Sequence, residues 1–272
     1  MSASEFSALV LAGRRGPQDP LAVGHGVSHR ALLPVAGVPM LVRVLRTLRA
    51  AGIARLHVSI DAPELLDALP ELAAWRREGV LRVHPSESSP SRSVAAELSA
   101  PDVLPCLVTT ADHALLTKAM VEHFLTEVCA TDADMFVGMV AERVVRAQHP
   151  ESQRTYLRLR GEAWSGANLF AFRNARARLA ADFWVRAERF RKQPWRLVAS
   201  IGPSLVLLYA LRRLDLASAL ERGSRVIGAR IRPIAMPQAE AAIDVDHESD
   251  LVLAERILRA RESGADRAPG AV

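Results

Sequence analysis

Short apolar runs alternate with longer amphipathic stretches along most of this chain. Ser7–Ala12 and Arg55–Ile60 are rich in branched and small apolar residues, which predicts buried strands. Val80–His84, Leu104–Thr110 and Met135–Val140 repeat the pattern. Helical spacing lies between them. After Pro39, placed as a first-turn proline, Met40, Leu41, Val44, Leu45 and Leu48 recur on one face until Gly52 ends the run. Pro63–Arg77 and Thr117–Ala130 carry the same spacing. Strands that alternate with helices predict a three-layer α/β/α fold around a mixed, mainly parallel sheet.

The alternation breaks between residues 142 and 225. Tyr156–Arg160 and Asn168–Phe172 read as strands, Ala175–Arg191 and Trp195–Arg213 as helices. It resumes with strands at Arg225–Pro233 and Ala242–Val245 and a last helix at Glu248–Glu262. With no internal repeat or low-complexity linker, the expectation is one domain over residues 1–262. A basic, partly helical insertion would occupy about 142–225, and residues 263–272 would form a flexible tail.

Composition narrows the class. The 272 residues are 50% hydrophobic and 24% charged, which excludes a disordered chain. Two cysteines, Cys106 and Cys129, exclude a disulfide framework and a four-cysteine zinc site. No apolar run reaches the length of a membrane span and the N-terminus lacks a basic leader pattern, so a cytoplasmic setting is expected. Of 35 basic residues only Lys118 and Lys192 are lysines, a bias spread over the whole chain. The net charge is +5, yet between Arg143 and Arg196 thirteen Arg and Lys face four Asp and Glu. Such a stretch favours an anionic partner. Its aromatics are not interleaved on a sheet platform, so nucleic acid is not expected. Trp195 beside Arg191 and Lys192 also suits a helix lying on anionic lipid.

In open α/β sheets ligands bind beyond the carboxyl ends of strands. The first such end is Leu11-Ala12-Gly13-Arg14-Arg15-Gly16, followed by Arg30-Ala31-Leu32-Leu33-Pro34-Val35-Ala36-Gly37. It is neither a dinucleotide fingerprint nor a Walker loop, but its backbone N–H groups and guanidinium forks suit phosphates. The second end, Thr109-Thr110-Ala111-Asp112-His113-Ala114-Leu115-Leu116, delivers a carboxylate of the kind Mg²⁺ takes together with substrate phosphates. Asp112 as a helix cap is the competing reading. The third end, Ile243-Asp244-Val245-Asp246-His247-Glu248-Ser249-Asp250-Leu251, delivers another, with Asp246 or Ser249 able to cap the last helix. His25, His29 and His113 read as polar wall. Phe183, Trp184 and Phe190 read as core, and so does Cys106.

These stretches resemble the MobA-like NTP transferase and sugar-phosphate nucleotidylyltransferase family. Leu11–Gly16 with Arg30–Gly37 is similar to its "LAAGxGxR…KxLLPVxGxPM" opening. Thr109–Leu116 is similar to its "DxPLLT" strand end, and Asp244–Leu251 to its "DVDTPEDL" stretch. The chain departs from the pattern at Arg30 (usually Lys), at Ala114 (usually Pro) and in the longer loop between Gly16 and Arg30. The resemblance implies that Leu11, Ala12, Gly13, Arg14, Arg15 and Gly16 cradle a triphosphate, with Arg30 and Asp112. It also implies that Asp112 and Asp244 hold Mg²⁺, with Asp246 as the alternative second ligand. Ser91–Val94 resembles a stretch by which cytidylyltransferases hold the nucleotide, which places Ser93 at the base and favours CTP. The implied activity is transfer of a nucleoside monophosphate from an NTP to a small phosphorylated acceptor, with release of pyrophosphate. Arg14, Arg30, Asp112 and Asp244 would be catalytic, and Asn168, Arg191 and Lys192 would meet the acceptor. The alternatives are a glycosyltransferase on a related fold, which has no use for a triphosphate loop, and a catalytically weak nucleotide-binding protein.

Overall fold

A computed structural model of the chain describes residues 2–14, 16, 19–188, 208–209 and 213–263. In chain order its strands are β1 (Ser7–Leu11), β2 (Pro34–Val35), β3 (Val38–Pro39), β4 (Arg55–Ile60) and β5 (Leu81–Pro85), then β6 (Cys106–Thr110), β7 (Met135–Ala141), β8 (Leu157–Arg158), β9 (Ala163–Phe172) and β10 (Ile231–Ala235). The helices are α1 (Pro20–Gly24), α2 (Met40–Ala50), α3 (Pro70–Arg77), α4 (Pro90–Leu98) and α5 (Lys118–Ala130), then α6 (Glu142–Gln148), α7 (Arg178–Glu188), α8 (Leu216–Ile227) and α9 (Glu248–Glu262).

The main sheet has the order β10-β7-β9-β6-β1-β4-β5, with β8 paired to β9. Its strands are parallel except β9, which lies antiparallel between β6 and β7 and pairs antiparallel with β8 as well. The stretch at 142–225, expected to be an insertion, thus supplies a strand to the interior of the sheet. Helices cover both faces. On one, Leu45 and Leu48 of α2 and Val121 and Phe124 of α5 pack over Val10, Val58 and Leu107. On the other, Val94 and Leu98 of α4 and Ala180 and Ala181 of α7 pack over Leu9, Val108 and Phe172. The strands alternate the face each residue serves, so both sides of β1 and β6 are apolar, as a doubly covered parallel sheet requires. A third cluster joins α9, through Leu251, Ala254 and Leu258, to Leu33, Val35 and Leu115. It fastens α9 over the loop that follows β1.

Several boundaries differ from those the spacing predicts. Pro63–Arg77 is a 3-10 turn at Pro63–Leu66 and then α3, because Pro70 pushes Leu69 into an extended conformation. Pro39 closes β3 rather than opening the first turn of α2, since Ala36 and Gly37, both at positive φ (48° and 75°), fold residues 34–39 into a tight hairpin. The strand expected at Arg225–Pro233 starts only at Ile231. Before it, α8 runs on to Ile227 because Leu220 and Ile227, two turns apart, pack on one core face. Ala242–Val245 makes no ladder. It leaves a 3-10 turn (Ala239–Ala242) and meets the end of β6 through a backbone bond from Val245 N to Asp112 O at 3.0 Å. Tyr156–Arg160 shortens to β8, Asn168–Phe172 lengthens to β9, and α7 begins at Arg178 after a 3-10 turn. Trp195–Arg213 lies almost wholly outside the described residues.

Asp134 ties three strands where β7 begins. Its carboxylate accepts from Arg230 N at 2.7 Å and Asn174 Nδ2 at 2.9 Å, and its carbonyl accepts from Arg173 N at 2.9 Å. Burial works against the ionised carboxyl, but these hydrogen bonds hold its pKa below the usual range. Asp134→Ala is expected to lower the unfolding free energy by about 2 kcal/mol, measured by urea titration at neutral pH. A depressed carboxyl pKa contributes stability above the unfolded value near 3.9, so the difference between the two proteins should shrink as pH falls below about 4.

Candidate active site

β1 and β6 pair in register, Leu11 opposite Thr110, so the loops that leave them emerge side by side at the carboxyl edge of the sheet. Asp112 stands two residues past β6. The bond from Val245 N to Asp112 O draws the segment before α9 to the same edge. Oxygens of Asp112, Asp244 and Asp246 consequently lie within 4.8 Å of one another. Three carboxylates at that spacing repel, and two guanidinium groups offset the repulsion. The Arg30 guanidinium lies 3.3 Å from Asp112 and 3.5 Å from Asp19, and donates to Asp246 and to the Val245 carbonyl. Arg154 donates to Asp244 and Asp250 and is nearly buried. Burial disfavours the Arg30 cation, yet Asp112, Asp246 and Asp19 outweigh that and its pKa is raised. Asn168 donates to Asp244 at 3.2 Å from a backbone at φ +48°, a conformation uncommon outside glycine that turns its amide to the cluster.

The loop after β1 is pinned by Asp61, just past β4. Asp61 accepts from Arg14 N at 2.9 Å and pairs with Arg14 Nε at 3.1 Å and His29 Nε2 at 3.0 Å. His29 Nδ1 accepts from Ala31 N, so its proton is on Nε2 and is donated to Asp61. Burial raises the Asp61 pKa, but His29 and the Arg14 N–H lower it further, so the pin is anionic. At Gly13 a Cβ would lie 3.1 Å from the Ser86 side chain, so glycine lets the loop pass the strand-end wall without displacing Ser86.

Two clefts meet at the carboxylates. A cleft of about 680 Å³ is bounded by Gly13, Arg14 and Asp112 on one side and by Ser86, Ser89 and Ser93 on the other. A second, of about 420 Å³, is bounded by Asp19, Arg30, Asp246 and Glu248. Ser93 is fixed by accepting from Glu87 N at 3.0 Å. The first cleft is open, mixes serine hydroxyls with apolar surface, and is large enough for a nucleotide-sized ligand.

Of the residues singled out by sequence, Leu11, Gly13, Arg14, Ser93 and Asp112 share the larger cleft. Ala12, with Arg14, Arg30 and Asp112, lines a small recess of about 40 Å³ at the end of β1. Gly16 and Asp246 line the second cleft, and Asn168 contacts Asp244 beside Asp112 and Asp246. Arg15, Arg191 and Lys192 lie outside the described residues. Neither Asp246 nor Ser249 caps α9. His247 occupies that position, Asp250 accepts from Asp246 N and His247 N, and the Asp246 carboxylate serves Arg30. Asp112 caps no helix either, since Thr117 caps α5. Burial pulls His113 down to about 4, so it is a neutral wall residue. Asp19, Asp61, Arg154 and Asp250 were not anticipated. Asp61 had a usable signal, a carboxylate directly after an apolar strand. Arg154, one of many arginines and 90 residues from its partner, had none.

The sequence matches the family model for MobA-like NTP transferase domains over residues 8–229. A hypothetical transferase from Thermus thermophilus is 31% identical, with a TM-score of 0.75 over 90% of this chain and 99% of that one. The fold is also that of 4-diphosphocytidyl-2C-methyl-D-erythritol synthase from Anaerococcus prevotii, at 10% identity and a TM-score of 0.57, covering 95% and 100% of the two chains. CMP:2-keto-3-deoxy-manno-octonic acid synthetase complexed with CTP shares it at 14% identity and 0.54, covering 94% and 99%. No curated protein sequence matches the chain.

Removing the Asp61 pin should free the loop without unfolding the sheet. In Asp61→Ala, amides of residues 12–14 and 29–33 are expected to exchange hydrogen for deuterium at least tenfold faster, because several hydrogen bonds worth about 1 kcal/mol each are lost. Amides of β1, β4 and β6 should exchange at unchanged rates.

Proposed function

The chain belongs to the family of MobA-like NTP transferase domains, and from that premise we propose that it is a Mg²⁺-dependent nucleotidyltransferase. It moves a nucleoside monophosphate from an NTP, with CTP favoured, to a small phosphorylated acceptor. The observation that carries this reading is the meeting of three carboxylates with a pinned glycine-arginine loop between two clefts. An all-oxygen carboxylate set fits Mg²⁺, which takes carboxylate and phosphate oxygens and few other donors. Asp112 and Asp244 would hold the ion, with Asp246 the alternative to Asp244.

The chain's own residues supply binding and alignment. Gly13 and Gly16 offer backbone N–H groups, and Arg14, Arg15 and Arg30 offer guanidinium donors, to the β- and γ-phosphates. Leu11 and Ala12 back the loop, and Ser93 faces the base from α4. An acceptor phosphate oxygen attacks the α-phosphorus, the bond to the bridging oxygen breaks, and pyrophosphate leaves with that electron pair. The acceptor is already anionic, so no general base is required, and the neutral His113 is consistent with that. Asn168, Arg191 and Lys192 would hold the acceptor. The chemistry a bound Mg²⁺ supplies is neutralisation of charge on the reacting phosphate. In the free protein Arg30 and Arg154 pair with the carboxylates and offset part of their charge. A nucleotide arriving with its cation lets the Arg30 fork turn from carboxylate to phosphate oxygens, a match it makes equally well.

The direct test is pyrophosphate release from a panel of NTPs with phosphorylated sugars, polyols and cofactor precursors. Release with Mg²⁺ and at least one pair is expected. Turnover of a nucleotide sugar with no release from any NTP would replace this reading by the glycosyltransferase one. Asp112→Asn and Asp244→Asn are each expected to cost about 100-fold or more in kcat, with the double variant little worse, because ligands of one ion act as a unit. Asn is the cleaner substitution, since it keeps the shape beside Arg30 and Arg154. If Asp246→Asn is inactive while Asp244→Asn is active, Asp246 is the second ligand.

A further inference from the structure

A second group of metal-binding side chains lies away from the carboxylates, on the α4 side of the sheet. His57 is in mid-β4, His84 is in the edge strand β5, and Glu97 is in α4. Ser59 pairs with His84 and His57 with Arg82, so both imidazoles stand on the face that α4 covers. Oxygens of Glu97 lie 2.6 Å from His57 Nδ1 and 3.5 Å from His84 Nε2. The two rings are stacked with centroids 5.7 Å apart, and one donor atom from each residue falls within 4.8 Å of the others.

The contacts are close but poorly made as hydrogen bonds. His57 Nδ1 and His84 Nε2 are both buried atoms without an aligned hydrogen-bond partner, although each faces the Glu97 carboxylate. His57 is 3% exposed and Glu97 7%, so the polar groups of this cluster are largely withdrawn from water. A tetrahedral ion with bonds of about 2.1 Å spaces neighbouring ligand atoms at about 3.4 Å. The two imidazoles meet different oxygens of Glu97, at 2.6 and 3.5 Å, and one donor from each residue lies within 4.8 Å of the others, so side-chain turns about the carboxylate would seat an ion. Two imidazoles and one carboxylate select zinc-class divalent ions over Mg²⁺, which prefers oxygen alone. His84 is half-exposed at the sheet edge, so the cluster lies close to solvent.

We propose that His57, His84 and Glu97 form a zinc-class metal site that ties β4, β5 and α4 together. His84 lies two residues before Ser86, and Glu97 one turn after Ser93. An ion there would brace both ends of the serine-lined wall of the larger cleft. The site itself stands whether or not the chain transfers nucleotides, and its test does not read turnover.

The experiment titrates ZnCl₂ into tag-free, metal-stripped full-length chain by calorimetry, with Co²⁺ absorption as the spectroscopic companion. One zinc per chain is expected, along with the visible bands of a low-coordinate N/O cobalt site and a raised melting temperature. His84→Ala, at an exposed edge position that should not unfold the protein, should weaken zinc binding at least tenfold and remove the cobalt bands. Glu97→Gln should do the same, and Asp112→Asn should leave both unchanged. No saturable zinc binding would overturn the proposal and leave His57, His84 and Glu97 as a buried polar packing contact. Binding lost in Asp112→Asn but kept in His84→Ala would also overturn it, by assigning the ion to the acidic cluster.

Discussion

Three carboxylates held within 4.8 Å of one another are the constraint around which this molecule is arranged. Left alone they would repel, and in a half-buried setting the repulsion would be poorly screened. Arg30 and Arg154 make the cluster tolerable, and each reaches it from a different part of the chain. Arg30 anchors the end of the long loop after β1, drawing in Asp19 at the start of α1 and the segment before α9. Arg154 anchors the connection between α6 and β8 to Asp244 and Asp250. The same ion pairs thus hold the loop, the last helix and the β8–β9 connection at one edge of the sheet. A buried pair of this kind is weak evidence of stability, because desolvation consumes most of the attraction. Its value here is registry. It fixes which loops meet.

The division of the site follows from the sheet. β1 and β6 leave side by side and bring phosphate-type donors and a carboxylate together. The antiparallel β9 enters the sheet at their flank and presents Asn168 to Asp244. One cleft opens toward α4 and its serines, the other toward α1 and α9. The carboxylate cluster thus borders two separate clefts, one reached by Asp112 and the other by Asp246. The basic stretch after α6 also gains a partial explanation, since one of its arginines is used internally, in Arg154, and is not offered to solvent.

Much of this was legible in the chain, for definite reasons. β1, β4 and β6 are covered on both faces, so they read as unbroken apolar runs, and the strand-end residues Gly13 and Asp112 follow them directly. α2, α5 and α9 carry full apolar stripes and were found within a residue or two. α4 was missed because serine, arginine and alanine dominate it, and its buried face includes Ser91, Ser93 and Glu97. α1 and α6 are two turns or fewer, too short for a periodicity to register. Residues 242–245 look like a strand because Ile243 and Val245 are buried, but they are buried against α9 and the hairpin rather than in a ladder. Long-range pairs such as Arg154 with Asp244 leave no local trace at all, since every partner of an arginine in so arginine-rich a chain looks alike.

The central claim is that the carboxylate cluster exchanges its arginines for a cation that arrives with a nucleotide. Electron paramagnetic resonance of Mn²⁺, used in place of Mg²⁺, tests it most directly. In the presence of CTP the account predicts one bound Mn²⁺ per chain. That ion should bind at least tenfold more weakly when CTP is omitted, and should be absent in Asp112→Asn. CTP that binds equally well in EDTA, or Mn²⁺ that binds regardless of nucleotide and of Asp112, would contradict it.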